Sequence, residues 1–172
     1  SNGAQVRTSG STFDTIQSAV DDAAAGSQGD GVALADSGTF EESITIDDDV
    51  SLRGPNAGTP GQDSARGEEA IIDGGGPAVT LGADEAEIDG FRVEGNGSSD
   101  DVIDIPESGT GNTVRVKNNI VRASESASGS GFINGIEVVN SSQVGSPASA
   151  IIEGNDIKID TGTKGAAINV LS

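Results

Sequence analysis

The stretch "ESITIDDDVSLRGPN", residues 42–56, decides the fold. Ile44-Thr45-Ile46 and Val50-Ser51-Leu52 each alternate apolar and polar side chains, the period of a strand with one buried face. Three aspartates, Asp47, Asp48 and Asp49, stand between them. Two strands this short cannot bury a core alone, so the pattern predicts further strands stacked against them.

Those strands are present as a repeat. An apolar–outward–apolar triplet recurs at Ile44-Thr45-Ile46, Val79-Thr80-Leu81, Ile103-Asp104-Ile105, Ile136-Glu137-Val138 and Ile168-Asn169-Val170, at steps of 35, 24, 33 and 32 residues. A second series follows the first four: Val50-Ser51-Leu52-Arg53-Gly54, Ala86-Glu87-Ile88-Asp89-Gly90, Val114-Arg115-Val116-Lys117-Asn118 and Ala150-Ile151-Ile152-Glu153-Gly154. After a Gly or Asn corner a third short strand comes around Ile72, Val93, Val121 and Ile157. Three short strands in a repeat of 20 to 50 residues describe a solenoid, whose stacked turns share one core of Ile, Val, Leu and Ala. Asp47-Asp48-Asp49 is then the corner between two faces of one coil. It reads as a solvated corner, with a cation site as the alternative.

One helix is expected, in "TFDTIQSAVDDAAAG". Asp14 is the candidate N-cap with Gln17 at capping-box spacing, Ile16, Ala19, Val20 and Ala23 make one apolar stripe, and Gly26 is the expected C-terminal cap. The chain therefore reads as one domain, 1–172, with a cap helix within 12–26 and coils over 31–172 that would continue beyond the C-terminus.

With these features the sequence resembles the right-handed parallel β-helices of the pectin-lyase-like superfamily, most clearly over residues 12 to 95. "FDTIQSAVDDAAAG" is similar to the N-terminal capping helix of that group, and "GTFEESITI", "VSLRGPN" and "AIIDGG" to its first coils. The coils look especially like those of pectin methylesterases and of periplasmic copper-site maturation proteins. The resemblance implies an all-β, single-stranded right-handed parallel β-helix of four to five coils behind an N-terminal capping α-helix. It implies no activity directly, because the matching residues are cap and coil residues. The catalytic aspartates, Arg and Gln of pectin methylesterases belong to later coils, and no motif here matches them.

Composition narrows the setting. The 172 residues carry 28 acidic and 9 basic side chains, a formal charge of −19, with no His, Cys, Met, Trp or Tyr and four Phe. High charge with few aromatics also marks disorder, but here the apolar residues are periodic. Acid-rich, lysine-poor and small-residue-rich proteins resemble those of extreme halophiles, haloarchaea above all. At molar salt the screening length falls to about 3 Å, so such charge is tolerated. The acidity argues against nucleic acid and anionic membranes as partners, since both need clustered Lys and Arg. No apolar run is long enough to span a bilayer and there is no signal peptide. Lacking an initiator Met, the chain reads as a processed product or an excised piece.

Stacking places equivalent outward residues side by side. In the second series one column reads Arg53, Asp89, Lys117, Glu153, alternating in sign, beside Glu87 opposite Arg115; in the third, Glu94 faces Arg122. β-Helix lyases use an Arg or Lys as base, but each cation here has a carboxylate one coil away, which favours a structural ladder. The first series has the outward column Thr45, Thr80, Asp104, Glu137, Asn169, with Asp100, Asp101 and Glu107 nearby in sequence. Asp104 and Glu137 are the candidate catalytic and metal-binding residues. Two carboxylates about 5 Å apart share a proton, act as an acid–base pair, or take a hard cation such as calcium. A solvated acidic face is the competing account. No other cofactor is indicated: Ser–His and Cys–His pairs cannot form, and "DGGG" at 73–76 lacks the strand–loop–helix setting of a phosphate site. Asn96 and Asn140 fit the glycosylation pattern at turns.

The end "AAINVLS" is a strand with no cap after it. It calls for continuation of the chain or self-association there. The expected function is a non-catalytic structural or recognition module, extracellular, on a haloarchaeal cell surface or a halophilic virion; a glycan is one candidate ligand, although the aromatic platforms usual in carbohydrate-binding β-helices are missing from the sequence. The rival is a carbohydrate-active lyase or esterase using Asp104 and Glu137. A metal-handling accessory protein is a third reading, disfavoured for copper by the missing His, Cys and Met.

Overall fold

The computed structural model describes residues 4–25, 31–95, 101–106, 113–123, 134–139, 149–159 and 165–171. Three sheets, two of five strands and one of seven, wind into a parallel β-solenoid. Sheet 1 stacks Ile44–Ile46, Val79–Leu81, Asp101–Ile105, Asn134–Val139 and Ile168–Leu171. Sheet 2 stacks Val32–Ala35, Ser51–Arg53, Glu87–Asp89, Thr113–Lys117 and Ser149–Glu153. Sheet 3 stacks Gly38–Phe40, Ala70–Gly74, Arg92–Gly95, Ile120–Ala123 and Asp156–Ile159. The chain visits sheets 2, 3 and 1 in that order on each circuit.

The register follows the three series read from the sequence. In sheet 1, Ile44 pairs with Val79, Val79 with Ile103, Ile103 with Ile136 and Ile136 with Ile168. In sheet 2, Leu52, Ile88, Val116 and Ile152 form one column; in sheet 3, Phe40, Ile72, Val93, Val121 and Ile157 form another. These inward columns converge on one core, in which Leu52, Ile72, Ile88, Val93, Ile103, Val116, Val121 and Ile136 are fully buried. At about 1.5–3 kcal/mol for each such side chain, this shared burial is what holds coils together that could not fold singly.

Two first-layer strands escaped the sequence reading, Val32–Ala35 and Gly38–Phe40. In "VALA" the outward residue is Leu34, itself apolar and exposed, so the run carries no alternation to detect. The short strands Val6–Arg7 and Thr12–Phe13 add an antiparallel pair to the open edge of Val32–Ala35.

Helix Ile16–Ala25 lies across the same end and buries Ile16, Ala19 and Val20, as the stripe predicted. Its N-terminus is capped differently from expectation. Thr15 Oγ1 accepts from the Ser18 N–H at 3.3 Å, and the carboxylate of Glu42 accepts from Ile16 N at 2.7 Å and Gln17 N at 3.1 Å. A carboxylate at a helix N-terminus satisfies orphan N–H groups and meets the positive end of the dipole. Gln17 is thereby released to cap sheet 1: its carboxamide accepts from Thr45 N at 2.8 Å and donates to Thr45 O at 3.1 Å, mimicking a neighbouring strand. Gly26 lies outside the described residues.

The corner between sheets 2 and 3 carries positive φ at Gly90 (81°), Asn118 (53°) and Gly154 (66°). That left-handed conformation accounts for the Gly-or-Asn alternation seen in the sequence. One step on, buried Asn119 and its neighbour Asn155 form a ladder. Asn119 Oδ1 accepts from Phe91 N at 2.9 Å, and Asn155 Oδ1 accepts from Asn119 N at 2.8 Å.

Against this corner runs the long connection 54–69. It begins beside Ser51–Arg53 yet reaches the last coil, where Gly61 N donates to Gly154 O at 2.7 Å. Gly58 N donates to the Asp89 carboxylate at 3.1 Å, and Asn56 closes the base of the loop on Gly67 N and Glu68 O. Arg66, with its side chain only 6% exposed, donates through Nη1 to Thr59 O and Asn118 O at 2.7 Å each and pairs with Glu69 at 2.8 Å. The loop is a strap along the solenoid axis.

Candidate functional site

Sheet 1 brings the expected outward column together. Thr45 pairs with Thr80, Thr80 with Asp104, Asp104 with Glu137 and Glu137 with Asn169. Alternation turns these side chains away from the core because Ile44, Ile46, Ile103, Ile105, Ile136 and Val138 occupy the inward positions. Asp104 and Glu137 are thus neighbours on adjacent parallel strands. Burial first, and the charge of Glu137 second, raise the Asp104 carboxyl above its ordinary pKa. Ionised Asp104 is therefore held at a cost.

The surroundings add a polar network that the sequence did not reveal. Glu137 Oε2 accepts from Asn134 Nδ2 at 3.0 Å and from Asn169 Nδ2 at 2.8 Å. Asn134 Nδ2 also donates to Asp101 Oδ1 at 2.8 Å, while its Oδ1 accepts from Ala166 N at 3.1 Å. Two amide donors thus meet on one oxygen of Glu137. The arrangement sets two carboxylates on adjacent strands, with amide donors around Glu137. Among the described residues no three acidic groups converge as a metal ion requires. Asp47, Asp48 and Asp49 are exposed at their corner. Asp100, Glu107 and the sequons at Asn96 and Asn140 lie outside the described residues.

In sheets 2 and 3 the Cα register is the expected one: Arg53 opposite Asp89, Asp89 opposite Lys117, Lys117 opposite Glu153, Glu87 opposite Arg115, Glu94 opposite Arg122. The ion pairs are not all the expected ones. Arg53 turns to Glu87 at 3.7 Å, because Asp89 is held by Gly58 N and Asn118 Nδ2. Lys117 bridges Glu87 at 3.5 Å and Glu153 at 3.7 Å. Arg115 pairs with Glu85, Arg92 with Glu94, and Arg122 with Asp156 in the following coil. Arg115 and Lys117 are both engaged with carboxylates, Lys117 along the column and Arg115 with Glu85 in place of the expected Glu87.

No family model matches the chain, and no match is found among curated proteins or solved structures. No helix among the described residues is long and apolar enough to cross a membrane.

Asp104→Asn should stabilise the fold. It removes like charge next to Glu137 and supplies an amide donor to it, a gain of about 0.2–1 kcal/mol at neutral pH. A carboxyl raised in the folded state makes folding less favourable as pH climbs from its unfolded value, 3.8, through the raised one. The gain in melting temperature over wild type should therefore shrink as pH falls toward 3.8. A variant that melts lower at neutral pH, or a difference independent of pH, would contradict this account.

Proposed function

We propose that the chain is a non-catalytic structural or recognition module, an extracellular β-helix of pectin-lyase-like type on a haloarchaeal cell surface or a halophilic virus particle. One observation carries the reading. Among the described residues Arg7, Arg53, Arg66, Arg92, Arg115, Lys117 and Arg122 are engaged with carboxylates along or between coils. The scarce positive charge thus holds layers together, while the acidic excess faces water, a division suited to concentrated salt.

A second reading, a polysaccharide lyase or carbohydrate esterase, is favoured by the adjacency of Asp104 and Glu137 and the raised Asp104 carboxyl. In it the pair supplies acid–base catalysis or holds calcium.

One set of measurements separates the two. The melting temperature should rise steadily from about 0.1 M to above about 2 M KCl, as salt screens the carboxylates and strengthens apolar burial. Uronate and esterified polysaccharides, with millimolar calcium at fixed KCl, should give no products and no calcium-dependent stabilisation. A flat salt response removes the halophile setting. Turnover lost in Asp104→Asn establishes the enzyme instead.

A further inference from the structure

Strand Asn134–Val139 opens on two buried residues, Asn134 and Gly135. The glycine is required for space. A Cβ at 135 would lie 2.7 Å from the backbone oxygen of Ala167 and 2.5 Å from Ile157 Cγ2, closer than real Cβ atoms come. Its presence leaves an Asn–Gly dipeptide in the strand. In that pair the asparagine amide is chemically least stable, because no side chain keeps the glycine nitrogen from the preceding carboxamide carbon. Asn2-Gly3 and Asn96-Gly97 share the dipeptide and lie outside the described residues.

Each group that would react at Asn134-Gly135 is held. Gly135 N, the nucleophile, donates to Ala166 O at 2.9 Å. The Asn134 carboxamide donates through Nδ2 to Asp101 Oδ1 at 2.8 Å and to Glu137 Oε2 at 3.0 Å, and its Oδ1 accepts from Ala166 N at 3.1 Å. Ala166 therefore restrains both the attacking nitrogen and the carbonyl it would attack. Separation of this one residue from the strand frees both.

We propose that Asn134 is a latent deamidation site gated by its contact with Ala166, and that the reaction is a one-way switch for that contact. When the contact opens, Gly135 N attacks Asn134 Cγ and ammonia leaves, carrying off the proton of that nitrogen. The succinimide so formed adds water at either carbonyl, giving aspartate or isoaspartate. The net exchange is ammonia for water, with no oxidant or reductant. The aspartate product closes less well than the asparagine did. Its carboxylate meets Asp101 and Glu137 where the amide had donated to both, so two hydrogen bonds to carboxylates become like-charge contacts. The isoaspartate product lengthens the backbone by one atom and breaks the strand register instead. This chemistry is independent of where the protein is displayed and of what it binds.

The test ages the 172-residue chain at mildly alkaline pH, folded in about 3 M KCl or unfolded in concentrated urea. Mass spectrometry follows the peptide carrying residues 134 and 135 for replacement of NH₂ by OH. The folded chain should react at least about a hundredfold more slowly than the unfolded one, and the slowing should match the hydrogen-exchange protection of the Gly135 N–H within about threefold. Asn134→Asp should speed exchange at the Gly135 and Ala166 N–H groups by at least about tenfold. Asn134→Ser, which removes both donors without adding charge, should speed it less. If Asn134→Asp does not fold, exchange measured on wild type aged to half conversion takes its place. Deamidation much faster or much slower than the protection of Gly135 allows overturns the gate. Exchange no faster in the converted protein than in wild type overturns the switch.

Discussion

Arg66→Ala should cost about 3–5 kcal/mol, the range for removing one partner of a buried ion pair. The guanidinium is almost fully enclosed, pairs with Glu69, and donates to Thr59 O and Asn118 O. Its removal leaves a largely buried carboxylate uncompensated and two carbonyls without their donor. Asn118 O lies two layers from the strand where the strap begins, so the loss should not stay local. Urea unfolding in molar KCl should show the lower midpoint. Hydrogen exchange should show faster opening at Gly61, whose N–H donates to Gly154 O. A loss under about 1 kcal/mol would mean the strap contributes little to stability.

Gly90→Ala should be of similar size for a different reason. Gly90 has φ of 81°, and an added Cβ would overlap the backbone of Asn56 and Ala57. The left-handed conformation costs a non-glycine residue about 1–2 kcal/mol, and overpacking against backbone adds about 1–3 kcal/mol. The expected loss is therefore about 2–5 kcal/mol. Gly58→Ala separates the two terms, because Gly58 has φ of 78° but open space around its Cβ position. It should show only the first cost. Equal losses at both positions would rule out close approach of the strap as the cause.

The sequence was most legible where one physical rule acts alone. Apolar residues alternating with polar ones located the strands of all three series apart from Val32–Ala35 and Gly38–Phe40, and stacking equivalent positions gave the register of Asp104 with Glu137. Legibility failed where partners are chosen in three dimensions. Arg53 and Asp89 face each other by register, yet Asp89 is claimed by the strap and Arg53 reaches diagonally to Glu87. Likewise Asp14 has the spacing of a helix cap, but Glu42, 26 residues from Ile16, supplies the carboxylate. Long, flexible side chains have several neighbours within reach, and sequence spacing ranks only the local ones. Around the candidate site, Asn134 and Asn169 read as ordinary strand residues because an amide carries no pattern of its own.

The strap also bears on how the molecule is assembled in time. A solenoid ordinarily grows rung by rung, each coil needing only the one before it. Here Arg66 waits for Asn118, 52 residues later, and Gly61 waits for Gly154, which is 93 positions further along. During synthesis the N-terminal coils emerge with this latch unfastened, and it closes only when strand Ser149–Glu153 has formed. Such distant closure slows folding, since loop entropy is lost before the contacts are gained. In return the loop ties the early coils to the coil of Gly154, so opening of one is coupled to opening of the other.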